Sequence, residues 1–273
     1  MNKVYVITGA TSGIGRAAAE MFAKGDNIVF AGYRSEEKGK ELLSIYPKNI
    51  YPFYVDYDKP ETIKQAADYI KSKCSKVDTL INAAGCVVAG PIEKINIDEI
   101  RHQFNVNVFG HIEMTQNLSD YLEGGRIINI SSMASFGVFP FIAPYCASKK
   151  ALDMFFNSFL LENKKNIKVI SIKPGVITTP LWEKSISANS KYLENCVGYE
   201  KEMDFMIRNA RRNETHGSSV EEVVKTILKA DSAKNPKLSY LVGHDAVCAS
   251  ILTKMPQAFA NKLIRLGLKL RMK

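Results

Sequence analysis

Of the 273 residues 46% are hydrophobic and 10% aromatic, enough for a sizeable core, and no apolar run reaches the roughly 18 residues of a membrane span. The net charge of +9 invites a nucleic-acid reading, but Lys254, Lys262, Arg265, Lys269, Arg271 and Lys273 all follow the last acidic residue, Asp245. Without these six the chain carries about +3, so the excess belongs to the tail, and no aromatic-basic interleaving supports nucleic-acid binding. Cys74, Cys86, Cys146, Cys196 and Cys248 are scattered, never as Cys-x-x-Cys, and the four histidines are dispersed. Neither a disulfide framework nor a metal site is expected, and a reducing cytoplasm is. The first residues run straight into a strand, which predicts no secretory signal.

Residues 4–8, Val-Tyr-Val-Ile-Thr, read as a buried parallel strand. They end in Thr8-Gly9-Ala10-Thr11-Ser12-Gly13-Ile14-Gly15, after which residues 16–24 are strong helix formers and Gly25 fits the position past a helix end. Strand, glycine turn and helix form the phosphate-binding opening of a Rossmann unit. The glycines allow close backbone approach, and the helix N-terminus offers unpaired N–H groups to an anion. Further strands are predicted at residues 27–33, 50–55, 77–81, 126–131, 167–172 and 237–242. Helices are expected at 35–46, 60–73 and 97–121, from Tyr145 onward, and from the capping box at Ser218-Ser219-Val220-Glu221-Glu222. This alternation predicts one doubly wound parallel sheet with helices on both faces, ligands lying at the carboxyl ends of its strands.

Pro144-Tyr145-Cys146-Ala147-Ser148-Lys149 holds a phenol and an ammonium four residues apart, on one face of a helix. A cation beside the phenol would draw Tyr145 below its ordinary value of about 10 and let it exchange protons near neutrality. At the end of the second strand the place of a ribose-chelating carboxylate is taken by Tyr33 and Arg34. A guanidinium suits a 2′-phosphate, with Ser12 leaving room for it, so NADP(H) is favoured over NAD(H); Arg16 is the nearby competitor.

In order along the chain, Thr-Gly-x-x-x-Gly-x-Gly at 8–15, Asp56, Asn-Ala-Ala-Gly at 82–85, Asn-x-x-Gly at 107–110, Ser132, Tyr-x-x-x-Lys at 145–149 and Pro-Gly-x-x-x-Thr at 174–179 resemble the short-chain dehydrogenase/reductase family. Ala83 stands where that family often has Asn. The resemblance covers nearly the whole chain and implies a single domain over 1–273 with a sheet of about seven strands in the order 3-2-1-4-5-6-7. It also implies hydride transfer between a nicotinamide dinucleotide and an alcohol or ketone. Tyr145 would be the general acid/base, Lys149 its support and a ribose ligand, and Ser132 the donor to the substrate oxygen, with Ser131 as competitor. Asn107 would hold a relay water, with Asn105 as the decoy. Gly9, Ser12, Gly13, Ile14, Gly15, Arg34, Asp56, Asn82, Ala83, Gly85, Pro174, Gly175, Ile177 and Thr179 would contact the cofactor, Asp56 at the adenine and Thr179, or Thr178, at the carboxamide, with Asn82 also tying adjacent strands together.

The resemblance further places a substrate lid at about 180–218, where Trp182, Tyr192, Tyr199, Phe205 and Met206 suggest a bulky apolar substrate. Phe136, Val138, Phe139, Phe141 and Ile142 extend that surface, and the hydroxysteroid and retinol dehydrogenase branch is the nearest in outline. A homodimer or homotetramer is implied. The basic amphipathic tail, 254–273, would lie on an anionic membrane surface, or pack against a neighbouring subunit or over the substrate mouth. A different class of function, a catalytically silent dinucleotide sensor or scaffold, is opposed by the complete Ser132, Tyr145 and Lys149 set.

Overall fold

The computed structural model describes residues 2–45, 48–193 and 196–271. Val4–Ile7 (β1), Ile28–Tyr33 (β2), Ile50–Tyr54 (β3), Thr79–Asn82 (β4), Arg126–Ile130 (β5), Lys168–Pro174 (β6) and Ser239–Val242 (β7) form one parallel sheet in the order β3-β2-β1-β4-β5-β6-β7. The connecting helices are Gly13–Ala23 (α1), Glu36–Ile45 (α2), Pro60–Lys73 (α3), Ile97–Phe104 (α4), Gly110–Leu118 (α5) and Ala143–Glu162 (α6), then Leu181–Ala188 (α7), Ser190–Leu193 (α8), Glu200–His216 (α9) and Val220–Ser232 (α10). His244–Leu252 (α11) and Gln257–Arg271 (α12) follow the last strand.

The strands read as continuous apolar runs because both faces are covered. Tyr5, Ile7, Val29, Ala31, Ile81 and Ile128 meet Ala18, Phe22, Leu42, Val223 and Ile227 of α1, α2 and α10. Their neighbours in sequence, Val6, Phe30, Leu80 and Ile127, meet Ile63, Ile70, Met114, Leu118, Leu152 and Phe156 of α3, α5 and α6. The sheet order reverses between β1 and β4, so the crevice for a ligand opens at their carboxyl ends.

Three local expectations are revised. The long helix predicted over 97–121 ends at Leu118 and is interrupted by a π-helical turn, Asn105–Phe109, which rotates Asn107 inward to full burial. The helix carrying Tyr145 begins two residues earlier, with Pro144 in its first turn, where no N–H is needed. Gly25 does follow the α1 C-cap, Lys24, but without the positive φ of a left-handed cap.

Candidate active site

The turn from β1 into α1 is set by backbone sterics. Gly9 has φ +64°, and a Cβ there would lie 2.7 Å from Ala84 Cα. A Cβ on Gly15 would lie 2.3 Å from Gly9 O, so the turn can close only around glycine. Ser12 caps α1 without a side-chain bond to it, and the first turn has no acidic residue, leaving N–H groups and the positive end of the dipole facing the crevice. The Thr8 hydroxyl accepts from Ala83 N at 3.1 Å and Ala84 N at 3.3 Å, locking this turn to the end of β4.

The cavity over these ends has a volume of about 530 Å³, and it brings together residues from six strand ends. Gly9, Ser12, Gly13, Ile14, Gly15, Arg34, Asp56, Ala83, Gly85, Ser132, Tyr145, Lys149, Pro174, Gly175, Ile177 and Thr179 all line it. Asn82 does not: its amide donates to Asn129 Oδ1 at 2.8 Å and ties β4 to β5 below the floor. Ser131 Oγ is buried in the wall with no hydrogen-bond partner among the described residues, an orphan hydroxyl pointing to a polar ligand group. Glycine turn, open helix N-terminus and orphan hydroxyl together fit a dinucleotide.

At the reacting end, Lys149 Nζ donates to Ile130 O at 2.9 Å and lies 5.8 Å from the Tyr145 ring centre. The expected lowering of Tyr145 by Lys149 is not found. Lys149 is buried and Tyr145 half-buried in the cavity wall, and the loss of surrounding water disfavours each charged form: it pushes the phenol up to about 12 and the ammonium down to about 8. The adjacent Ser132 hydroxyl offsets part of the first shift and the Asp153 carboxylate part of the second. Tyr145 is therefore a neutral phenol at pH 7.

Asn107 lies behind this wall, not on it. Its amide donates to Cys86 O and Ser148 Oγ, both at 3.0 Å, and its Oδ1 accepts from Cys86 N at 2.9 Å. Both amide protons are thus committed to holding the strand-end loop against α6, and only Oδ1 has a lone pair left for a water. Asn105 points away, donating to Asp58 Oδ1 at 3.0 Å.

The competing charges separate clearly. Arg16 is held by Glu20 and Glu41, whereas Arg34 is exposed and has no ion pair among the described residues. Asp56 serves a turn and lines the cavity at once: one oxygen accepts from Asp58 N at 3.2 Å, with Lys59 Nζ 4.0 Å from the other. Gly175 abuts the Asp245 carboxylate, which accepts from Val176 N at 2.5 Å and fastens the loop after β6.

A model of the short chain dehydrogenase family matches residues 3–190. The chain belongs to that family. It is 31% identical over 252 residues to the NADPH-dependent 3-dehydrocapnine reductase of Ornithobacterium rhinotracheale, covering 87% of each chain. To the 3-ketodihydrosphingosine reductase of Bacteroides thetaiotaomicron it is 29% identical over 250 residues, covering 88% of each. A solved short-chain dehydrogenase from Streptomyces avermitilis shares the fold with a TM-score of 0.77 at 25% identity, covering 98% of this chain and 95% of that one. The chain is accordingly an oxidoreductase that uses a nicotinamide dinucleotide.

Sequence reasoning missed two features of this dehydrogenase. Lys173 of β6 pairs with Asp153 of α6 at 2.7 Å, donates to Ser135 Oγ at 3.2 Å and sits 4.5 Å from the Phe136 ring centre. This largely buried pair fixes the short helical turn Met133–Phe136 that follows Ser132. Lys184 of α7 reaches Ser12 Oγ at 3.2 Å and brings a second cation to the glycine turn. Neither residue lies in a motif; each matters only through a partner distant in sequence.

Beside the first cavity lies a second of about 890 Å³, whose walls share Met133, Phe139, Ile142 and Trp182 with it. Trp182 is pinned between the two by its indole N–H, which donates to Ile177 O at 2.9 Å. Of the predicted lid residues Phe205 and Met206 also line the second cavity. Tyr192 and Tyr199 do not line it: Tyr192 packs on Val88 and Ile95 and accepts from Asn96 N at 2.8 Å, and Tyr199 packs on Phe141. Phe136, Val138, Phe139 and Ile142 do face it. The far wall is α12, through Ala260, Ile264 and Leu268.

Proposed function

We propose that this dehydrogenase is an NADPH-dependent reductase of a ketone carried on a long apolar chain. The observation that carries the reading is the wall shared by the two cavities. A carbonyl beside Tyr145 has a largely apolar chamber of about 890 Å³ directly behind it, with Arg212, His216 and Asp245 among its polar lining, and the volume is within the size range of ligand pockets. Tyr145, a neutral phenol to about pH 12, holds the proton that a carbonyl oxygen needs on reduction. Ser132 donates to the same oxygen as charge grows there. Lys149, charged below about pH 8, stabilises the phenolate left behind. Asn107 positions Cys86 and α6, and Asp56 borders the adenine end.

The bound dinucleotide supplies the hydride. Preference for its 2′-phosphorylated form rests on Arg34, an exposed guanidinium with no ion pair among the described residues, after a strand that ends without a carboxylate, and on Lys184 at Ser12. The name of the Ornithobacterium relative states NADPH dependence, and both relatives are reductases by name. On this reading residues 1–273 work as one nucleotide-binding domain covered by 180–218 and the tail.

The test follows NADPH oxidation across methyl ketones of increasing alkyl length. The expected result is a kcat/KM that rises about fourfold per added methylene until the chamber is filled, from about 0.8 kcal/mol per buried CH₂. A profile flat with chain length would overturn the long-chain reading. Equal kcat/KM with NADPH and NADH would overturn the cofactor preference.

A further inference from the structure

Helix α12 divides into three faces at helical spacing. Ala260, Ile264 and Gly267, with Leu268, line the second cavity. Phe259, Leu263, Leu266 and Leu270 repeat at the same intervals one residue earlier and face solvent, at 51%, 39%, 55% and 64% exposure. Lys262, Arg265 and Lys269 form the third face and are exposed as well. A helix that only roofed the cavity would need the first face and a polar remainder. This one exposes four large apolar side chains in a continuous stripe, bounded by the roof on one side and by cations on the other.

We propose that α12 is a membrane-docking helix, which lays its exposed stripe into the headgroup region of an anionic bilayer while its inner face roofs the substrate chamber. Charge selects the occupant. Every charged residue after Asp245 is basic, so the end of the chain complements an acidic lipid surface. A second copy on the same stripe would bring two like-charged faces together, which disfavours self-association there. No helix among the described residues is long and apolar enough to cross a membrane, so the contact is with the surface. The chamber beneath such a helix would receive an alkyl chain directly from the bilayer. That supply route extends the long-chain ketone reading, but docking itself does not depend on it.

The full-length protein is sedimented with phosphatidylcholine vesicles, with and without phosphatidylglycerol, at low and high salt. Binding to the anionic vesicles, weakened by salt and much lower on neutral ones, is expected. The triple variant Lys262→Gln/Arg265→Gln/Lys269→Gln should lower affinity for anionic vesicles about 100-fold. Leu263→Gln/Leu266→Gln should abolish binding without lowering the unfolding temperature, since both side chains are exposed and outside the chamber wall. Turnover of a short, water-soluble ketone by that variant should equal the parent's. No pelleting with anionic vesicles at low salt would overturn the proposal, as would variants that bind like the parent. A concentration-dependent dimer dissolved by Leu263→Gln/Leu266→Gln, with no vesicle binding, would assign the stripe to a second copy instead. Failure of the chain-length profile would leave the sedimentation result standing, so the two readings fail separately.

Discussion

Where β1 and β4 end, the cavity wall is main chain: Gly9 packs against Ala84, Gly15 against Gly9, and the N–H groups of α1 face the opening. Beyond Trp182 the wall is side chains, drawn from the segment after Ser132, from α9, from α11 and from α12. On the first side a methyl group added at Gly9 or Gly15 collides with backbone at 2.7 Å or less. On the second, any apolar side chain of about the right volume would serve. The turn at Gly9 and Gly15 therefore tolerates almost no change of residue, while the second cavity can change its occupant by small adjustments of volume. One half recognises a constant ligand through geometry; the other supplies an apolar volume.

Five measurements would break or sharpen that contrast. Tyr145→Phe removes the proton donor and should lower kcat about 1,000-fold, while NADPH affinity measured by fluorescence titration stays within about twofold. Substantial retained turnover would mean that another group supplies the proton. Gly9→Ala forces a side chain into a left-handed conformation and against Ala84, with strain of about 1–3 kcal/mol before any relaxation. Loss of dinucleotide binding together with a lower unfolding temperature is expected, and normal binding would show that the turn can reshape itself. Arg34→Ala should weaken NADPH about 10- to 100-fold and leave NADH nearly unchanged, from one charge-assisted phosphate contact of about 1.5–3 kcal/mol. An equal loss for both cofactors would contradict a phosphate-specific role.

The fourth measurement uses pH. Reductive kcat/KM should fall about tenfold per unit above pH 8, where Lys149 loses its charge, while Tyr145 keeps its proton to about 12. Stability moves the other way at first. Between about pH 8 and 10.5 the unfolded chain still binds the lysine proton that the folded chain has released, so Lys149 makes unfolding harder as pH rises. Between about 10 and 12 the sign reverses, because folded Tyr145 retains a proton that the unfolded chain loses. A pH profile of activity flat from 7 to 10 would remove Lys149 charge from the mechanism. Smallest is Trp182→Ala, which opens the partition between the two cavities. It should raise KM for a long-chain ketone several-fold, and for a short one by less; equal shifts would mean that Trp182 shapes the reacting end itself.

What was readable in the residues follows the same division. Gly9, Gly13 and Gly15 announce a turn because only glycine satisfies it, and the Ser132, Tyr145 and Lys149 spacing announces a site because helix geometry brings the last two to one face. The titration of Tyr145 was not readable in that spacing. It depends on how much water the surroundings remove and on how far the Ser132 hydroxyl offsets that, neither of which the four-residue spacing sets. Asn82 was readable as a strand tie and as a cavity residue together; its partner Asn129, on the neighbouring strand, makes it the tie between β4 and β5 and leaves it out of the lining.

By itself the amino-acid sequence determined the alternating strands and helices, the glycine turn, the phenol–ammonium pair and the basic tail, since each is written in residues close together along the chain. Tertiary structure alone decided that Arg16 is spent on Glu20 and Glu41 while Arg34 has no ion pair among the described residues, that Lys173 and Asp153 steady the segment after Ser132, and that Tyr192 and Tyr199 pack while Trp182 divides two cavities. It also turned the tail into a roof with an exposed apolar stripe beside it. The physical reason is common to all of these. Local sterics and helix periodicity act within a few residues, whereas burial, ion pairing and cavity walls arise between residues that only folding brings into contact.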